Sequence, residues 1–145
     1  MVTDTLMEGS AVALSERPRE TECADPRGIL IVDDDAFLRD KLRKILELSG
    51  LDVMGEATCG AEAIEMTRQL SPDLIIMDYM MEGMDGIAAT REIRSFDPEA
   101  KIIILTQIGQ PHLVGESFRA GAVNFILKPF DTKRVLSAVR KAIGL

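Results

Sequence analysis

Five short apolar runs punctuate residues 28–145, and each is followed by a stretch whose apolar residues recur at helical spacing. The runs are Gly28–Val32 (GILIV), Val53–Ala57, Asp73–Met77 (DLIIM), Lys101–Leu105 (KIIIL) and Val123–Leu127. Gly28–Val32 is unbroken, the mark of a strand buried on both faces, and the other four read as further strands. Between them, Phe37–Ser49 carries Leu38, Leu42, Ile45 and Leu46 on one side and stops at Gly50. Ala61–Leu70 carries Ile64 and ends at Ser71–Pro72, and Gly86–Phe96 ends before Asp97–Pro98. Pro111–Ala120 is closed by Gly121, and Asp131–Ile143 aligns Val135, Leu136, Val139 and Ile143. These spacings predict helices. Strands alternating with helices fold as a parallel sheet with helices on both faces and right-handed crossovers. The fold class is therefore α/β, and no repeat indicates a solenoid.

Composition narrows the function. A chain of 145 residues with 46% hydrophobic and 28% charged residues can bury a core without disulfide or metal staples. Its apolar runs are too short to span a bilayer. Lys and Arg number 17 against 24 Asp and Glu, a formal net charge of −7. That balance argues against nucleic-acid and anionic-membrane partners and favours proteins or cations. Cys23 and Cys59 fit neither a CxxC pair nor a disulfide framework, and the single histidine, His112, argues against a histidine metal site. Residues 1–27 hold six carboxylates against three arginines and lack the basic start and apolar core of a signal peptide. They read as a flexible extension preceding a domain at 28–145, and the composition suits the cytoplasm.

In open parallel sheets, ligands bind beyond the carboxyl ends of the strands. The first strand runs into Asp33-Asp34-Asp35, the third into Asp78, the fourth into Thr106 and the fifth into Lys128-Pro129. Taken singly, each has a plain explanation. Asp35 suits a helix N-cap, Asp78 a turn, Thr106 a loop cap and Lys128 a strand terminator. Their common placement is the stronger signal. Clustered carboxylates repel unless a cation neutralises them, and a hard divalent ion such as Mg2+ is the simplest solution. An ammonium and a hydroxyl nearby suit a phosphoryl group.

With these residues in place, ILIVDDD (Ile29–Asp35), DLIIMDYMMEGMDG (Asp73–Gly86), IIILT (Ile102–Thr106) and GAVNFILKPF (Gly121–Phe130) resemble the receiver domain of two-component response regulators, the family of the single-domain chemotaxis regulators. The resemblance spans about Gly28 to Leu145. It implies a flavodoxin-like, doubly wound (βα)5 sandwich with strand order 2-1-3-4-5. It implies that Asp78 accepts a phosphoryl group from a histidine kinase or a histidine phosphotransfer protein. Asp34, Asp78 and the backbone carbonyl of Met80 would ligate Mg2+, with Asp33 acting through water. Thr106 and Lys128 would bind the phosphoryl oxygens, and Phe125 would be the aromatic switch on strand five. The implied function is that of a stand-alone receiver signalling to a downstream protein, catalysing only its own phosphorylation and dephosphorylation. A phosphorelay shuttle and a degenerate receiver acting without phosphorylation are the alternatives within the family.

The sequence departs from the family pattern at three places. Glu82 stands where a proline is common, Gln107 where a small residue follows the threonine, and Met80 puts a thioether beside the acceptor. The last implies slow self-dephosphorylation. Two readings from other classes fit less well. A flavin-type binder needs a Ser/Thr/Gly phosphate loop where Asp33–Asp35 stands. An aspartate-based phosphohydrolase carries D-x-D on its first strand, whereas the acceptor position here is on the third. His112 and the basic side of the last helix (Lys133, Arg134, Arg140, Lys141) read as surface, and Cys59 as structural. Met77 reads as core, with Met80, Met81 and Met84 available to face partners.

Overall fold

The computed structural model describes residues 28–145. The expected N-terminal extension, with Cys23, lies outside the described residues. The elements run β1 (Gly28–Val32), α1 (Ala36–Leu48), β2 (Asp52–Ala57), α2 (Gly60–Leu70), β3 (Leu74–Asp78), α3 (Gly86–Phe96), β4 (Ile102–Thr106), α4 (Pro111–Ala120), β5 (Asn124–Leu127) and α5 (Thr132–Ile143). All neighbouring strands pair in parallel, in the order β2-β1-β3-β4-β5. The doubly wound (βα)5 sheet expected from the sequence is the one observed. None of the described helices is long and apolar enough to cross a membrane.

The unbroken apolar runs serve two cores at once. Ile29, Ile31, Leu74, Ile76, Ile103, Leu105 and Ile126 pack on one face with Leu42, Ile45 and Leu46 of α1 and Val135, Val139 and Ile143 of α5. The alternate residues Leu30, Val32, Ile75, Met77, Ile102 and Ile104 pack on the other with Ala63 of α2 and Ala89 and Ile93 of α3. Side chains of a strand alternate between its faces, so both sets must be apolar when helices cover both sides. A smaller cluster of Ile87, Leu113 and Ala120 joins α3 to α4. Each fully buried aliphatic side chain contributes roughly 1.5–3 kcal/mol relative to exposure.

Local chemistry sets the helix ends. Asp35, Asp85 and Asp131 occupy the N-caps of α1, α3 and α5, and accept hydrogen bonds from the backbone N–H of Phe37, Ala88 and Arg134. Gly121 closes α4 at φ 114°, a left-handed conformation that favours glycine. From β1 the chain turns to one side of the sheet, and from β3 to the other. The crevice between the ends of these two strands is the switch point of the fold.

Candidate functional site

Strand parity builds the site. Asp33 continues the alternation of Ile29 and Ile31, Asp78 that of Leu74 and Ile76, and Lys128 that of Ile126. Those apolar residues all face the α1 and α5 layer. The same alternation that packs one core thus delivers two carboxylates and an ammonium to one side of the sheet's end. Asp33 and Asp78 are buried, while Asp34 is exposed. One carboxylate oxygen from each of Asp33, Asp34 and Asp78 falls within a 4.8 Å cluster.

Lys128 bridges the two buried acids. Its Nζ donates to Asp33 Oδ2 at 3.0 Å and to Asp78 Oδ1 at 3.1 Å. Asp33 Oδ1 accepts from the Asp35 N–H at 2.9 Å, so both Asp33 oxygens are held. Asp78 is aimed from behind by the β3–α3 turn, where Gly86 N–H donates to the Tyr79 carbonyl at 2.9 Å. A Cβ at Gly86 would collide with the Asp78 carbonyl oxygen, so this close approach of two backbones requires glycine. Asp33, Asp34, Asp35, Leu38, Asp78, Met80, Gln107 and Lys128 line a cavity of about 260 Å3.

The electrostatics are those of an under-neutralised anion site. Burial raises the pKa of Asp78 to about 6, the Asp33 charge adds to the rise, and Lys128 opposes it. Burial also works against the Lys128 ammonium. Its hydrogen bond and charge pairing with Asp33, and then its pairing with Asp78, outweigh that and hold its pKa above the ordinary lysine value. Three carboxylates facing one ammonium leave a formal charge of −2, and oxygen donors of this kind fit a hard divalent cation.

Asp33, Asp34, Asp78, Met80 and Lys128 are brought together as the sequence suggested. Thr106 stands at the same rim but faces away. It continues the alternation of Ile102 and Ile104, which pack on the opposite face. It is fully buried, and its Oγ1 accepts from the Ile108 N–H at 3.1 Å. Gln107, one residue on, returns to the acid side and lines the cavity. Phe125 pairs with Ile104 across the β4–β5 ladder and packs against the cluster on the face that holds Ile102 and Ile104. Among the methionines, Met77 is core and Met80 is exposed, as expected. Met81, read as available to partners, is instead buried beside Met77 in the second core. His112 is exposed, and Cys59 is a half-buried free thiol at the N-cap of α2. Sequence reasoning missed Leu38 as a cavity wall. Its place in the first turn after the acid triplet was the available signal.

Fold and site together define a doubly wound α/β domain with a lysine-bridged acid cluster at its switch point. The chain belongs to the response regulator receiver domain family, whose pattern matches residues 29–140. It is 48% identical over 113 residues to the chemotaxis protein CheY of Thermotoga maritima, covering 78% of this chain and 94% of that protein. It is 46% identical over 116 residues to CheY of Bacillus subtilis, covering 80% and 97%. Among solved structures, CheY of Borrelia burgdorferi in complex with CheX, beryllofluoride and magnesium superposes with a TM-score of 0.78 at 33% identity, covering 80% of this chain and 88% of that one. The receiver domain of NarL from Mycobacterium tuberculosis superposes with a TM-score of 0.80 at 29% identity, covering 83% and 98%.

Proposed function

We propose that this receiver is switched by phosphorylation of Asp78, with Mg2+, by a sensor histidine kinase or a histidine phosphotransfer protein, and that it signals by binding a downstream protein. The observation that carries the reading is the buried Asp78 carboxylate, held 3.1 Å from Lys128 Nζ at the mouth of an acidic cavity. In the transfer, an Asp78 oxygen attacks phosphorus, the P–N bond of the phosphohistidine breaks, and the imidazole leaves with its electron pair and takes up a proton. The product is an aspartyl phosphate. No separate substrate is turned over.

Asp34, Asp78 and the Met80 carbonyl are assigned as direct metal ligands, with Asp33 acting through water. The exposure of Asp34 supports this division, as does the engagement of both Asp33 oxygens by Lys128 and the Asp35 N–H. Bound Mg2+ supplies charge neutralisation for the transferring group. Lys128 neutralises a further oxygen and holds Asp78 in place beforehand. The resemblance to a CheY solved with magnesium and beryllofluoride supports both assignments.

The output step uses the opposite face of the sheet. Thr106 leaves Ile108 N–H to bond the phosphoryl group, and the space it vacates is open to Phe125, which shares that face on the adjacent strand. Phe125 has no hydroxyl, so the change works through packing alone. It alters the surface formed by α4, β5 and α5, a local charge event biasing a two-state element.

Incubation with acetyl phosphate and Mg2+, followed by intact mass, tests the chemistry. One added phosphoryl group, absent in Asp78→Asn, is expected. No gain with acetyl phosphate or any kinase would leave a receiver that binds partners without phosphorylation.

A further inference from the structure

We propose that Arg39 is a positioning residue for the metal-binding acids, acting through the peptide that joins Asp33 to Asp34; the inference rests on the Mg2+ reading above. Arg39, in the first turn of α1, donates from Nη1 to the Asp33 backbone carbonyl at 2.6 Å. That carbonyl belongs to the peptide plane from which Asp34 departs. Fixing its direction fixes the peptide plane from which Asp34, the exposed member of the acid cluster, projects.

Arg39 is itself anchored. Its Nε donates to Glu56 Oε1 at 3.0 Å, and the second Glu56 oxygen is taken by Arg43 Nε at 2.6 Å. Arg43 Nη1 reaches Glu47 at 2.9 Å. The Arg39 side chain is only 16% exposed. Pairing with Arg43, opposed by burial, and then with Arg39 holds the Glu56 carboxyl below the ordinary range. A planar guanidinium fork is pre-organised for binding two acceptors at once, which an ammonium is not. The clamp ties α1 to β2 and ends on the acid loop. The loop is also held by Asp33 N–H to the Ala57 carbonyl at 3.1 Å and by Asp35 N–H to Asp33 Oδ1 at 2.9 Å. Without Arg39, the loop keeps these anchors on the neighbouring peptides, and the Asp33–Asp34 peptide loses the one on its carbonyl.

Charge and position make opposite predictions for this residue. A guanidinium near a cation site repels the cation, so deleting it for charge reasons alone strengthens Mg2+ binding. Deleting it as a positioning group weakens binding, by about tenfold if it behaves like other residues that orient metal ligands.

Mg2+ affinity, read by calorimetry and by emission of Tyr79, the only tyrosine in a chain without tryptophan, decides between them. Arg39→Met is expected to bind Mg2+ about tenfold more weakly, with amide shifts concentrated at Asp34 and Asp35. Arg39→Lys, which keeps the charge but not the fork, is expected to fall between it and the unsubstituted protein. Arg39→Met binding Mg2+ as tightly as the unsubstituted protein, or tighter, overturns the inference alone. Arg39→Gln, equally uncharged, applies the same criterion if the methionine variant does not fold. Absence of Mg2+ binding in the unsubstituted protein overturns the metal reading and this inference with it.

Discussion

Lys128 Nζ stands 3.1 Å from Asp78 Oδ1 across fifty residues of sequence, and the same ammonium is 3.0 Å from Asp33. Among the described residues, the lysine is the single cation holding two buried acids together. Breaking a buried ion pair from one side leaves uncompensated charge. Lys128→Met is therefore expected to destabilise the metal-free fold by about 3 kcal/mol at neutral pH. Urea denaturation with and without millimolar Mg2+ checks this. Added Mg2+ should recover more stability in the variant than in the unsubstituted protein, because it supplies the missing positive charge.

The raised pKa of Asp78 makes stability fall with pH. Its folded value is about 6 against an ordinary 3.8, so the folded state binds more protons between those values. A group shifted this way favours the fold below about pH 4, and that advantage is lost as pH rises through 6. Asp78→Asn removes the buried charge and is expected to stabilise the metal-free protein at pH 7 by about 2–3 kcal/mol, with little gain at pH 4. Paired denaturation curves at the two pH values measure it. An equal gain at both would sink the electrostatic account. Mg2+ competes with the same proton, so its affinity should drop below pH 6.

The alternation of strands and helices was legible because the central strands β1, β3 and β4 are buried throughout and read as apolar blocks, while the part-exposed edge strands β2 and β5 read as shorter, mixed ones. The acids and the lysine were legible because they end those blocks. The place of Thr106 at the rim was legible in the same way, and counting from Ile102 and Ile104 by twos puts its side chain on the face of Met77 rather than of Asp78. The inward turn of Met81 was not legible, since a loop carries no period to count. The Arg39–Glu56 clamp was not legible either. It joins α1 to β2 across seventeen positions, and nothing in either segment alone distinguishes a clamp from two solvated charges.

Gly86 is where the geometry of Asp78 is most exposed to a single methyl group. A Cβ there meets the Asp78 carbonyl oxygen and lies 3.0 Å from Tyr79 Cα, all backbone that no side-chain rotation can relieve. Gly86→Ala is expected to cost about 2 kcal/mol or more through overpacking, despite alanine's better helix propensity. Because the strain falls on the Asp78 peptide, phosphorylation by acetyl phosphate should slow as well. A variant as stable and as fast as the unsubstituted protein would show that the β3–α3 turn opens freely.

Met80 is expected to govern how long a phosphorylated Asp78 lasts. Its side chain is 53% exposed and lines the acid cavity. Hydrolysis of an aspartyl phosphate needs a water lined up behind phosphorus, and a thioether is a poor hydrogen-bonding partner for that water. Gln107 narrows the same cavity with a side chain longer than the small residue common there. Loss of the phosphoryl group should therefore be slow, with a lifetime of minutes or longer rather than seconds. Met80→Asn puts an amide donor and acceptor at the mouth and is expected to shorten the lifetime by about tenfold, a modest share of what a positioned polar group contributes to proton and water handling. Intact mass against time after removal of acetyl phosphate gives both lifetimes. A lifetime of seconds that Met80→Asn leaves unchanged would place control of hydrolysis elsewhere, and Gln107→Ala would then be the next position to measure.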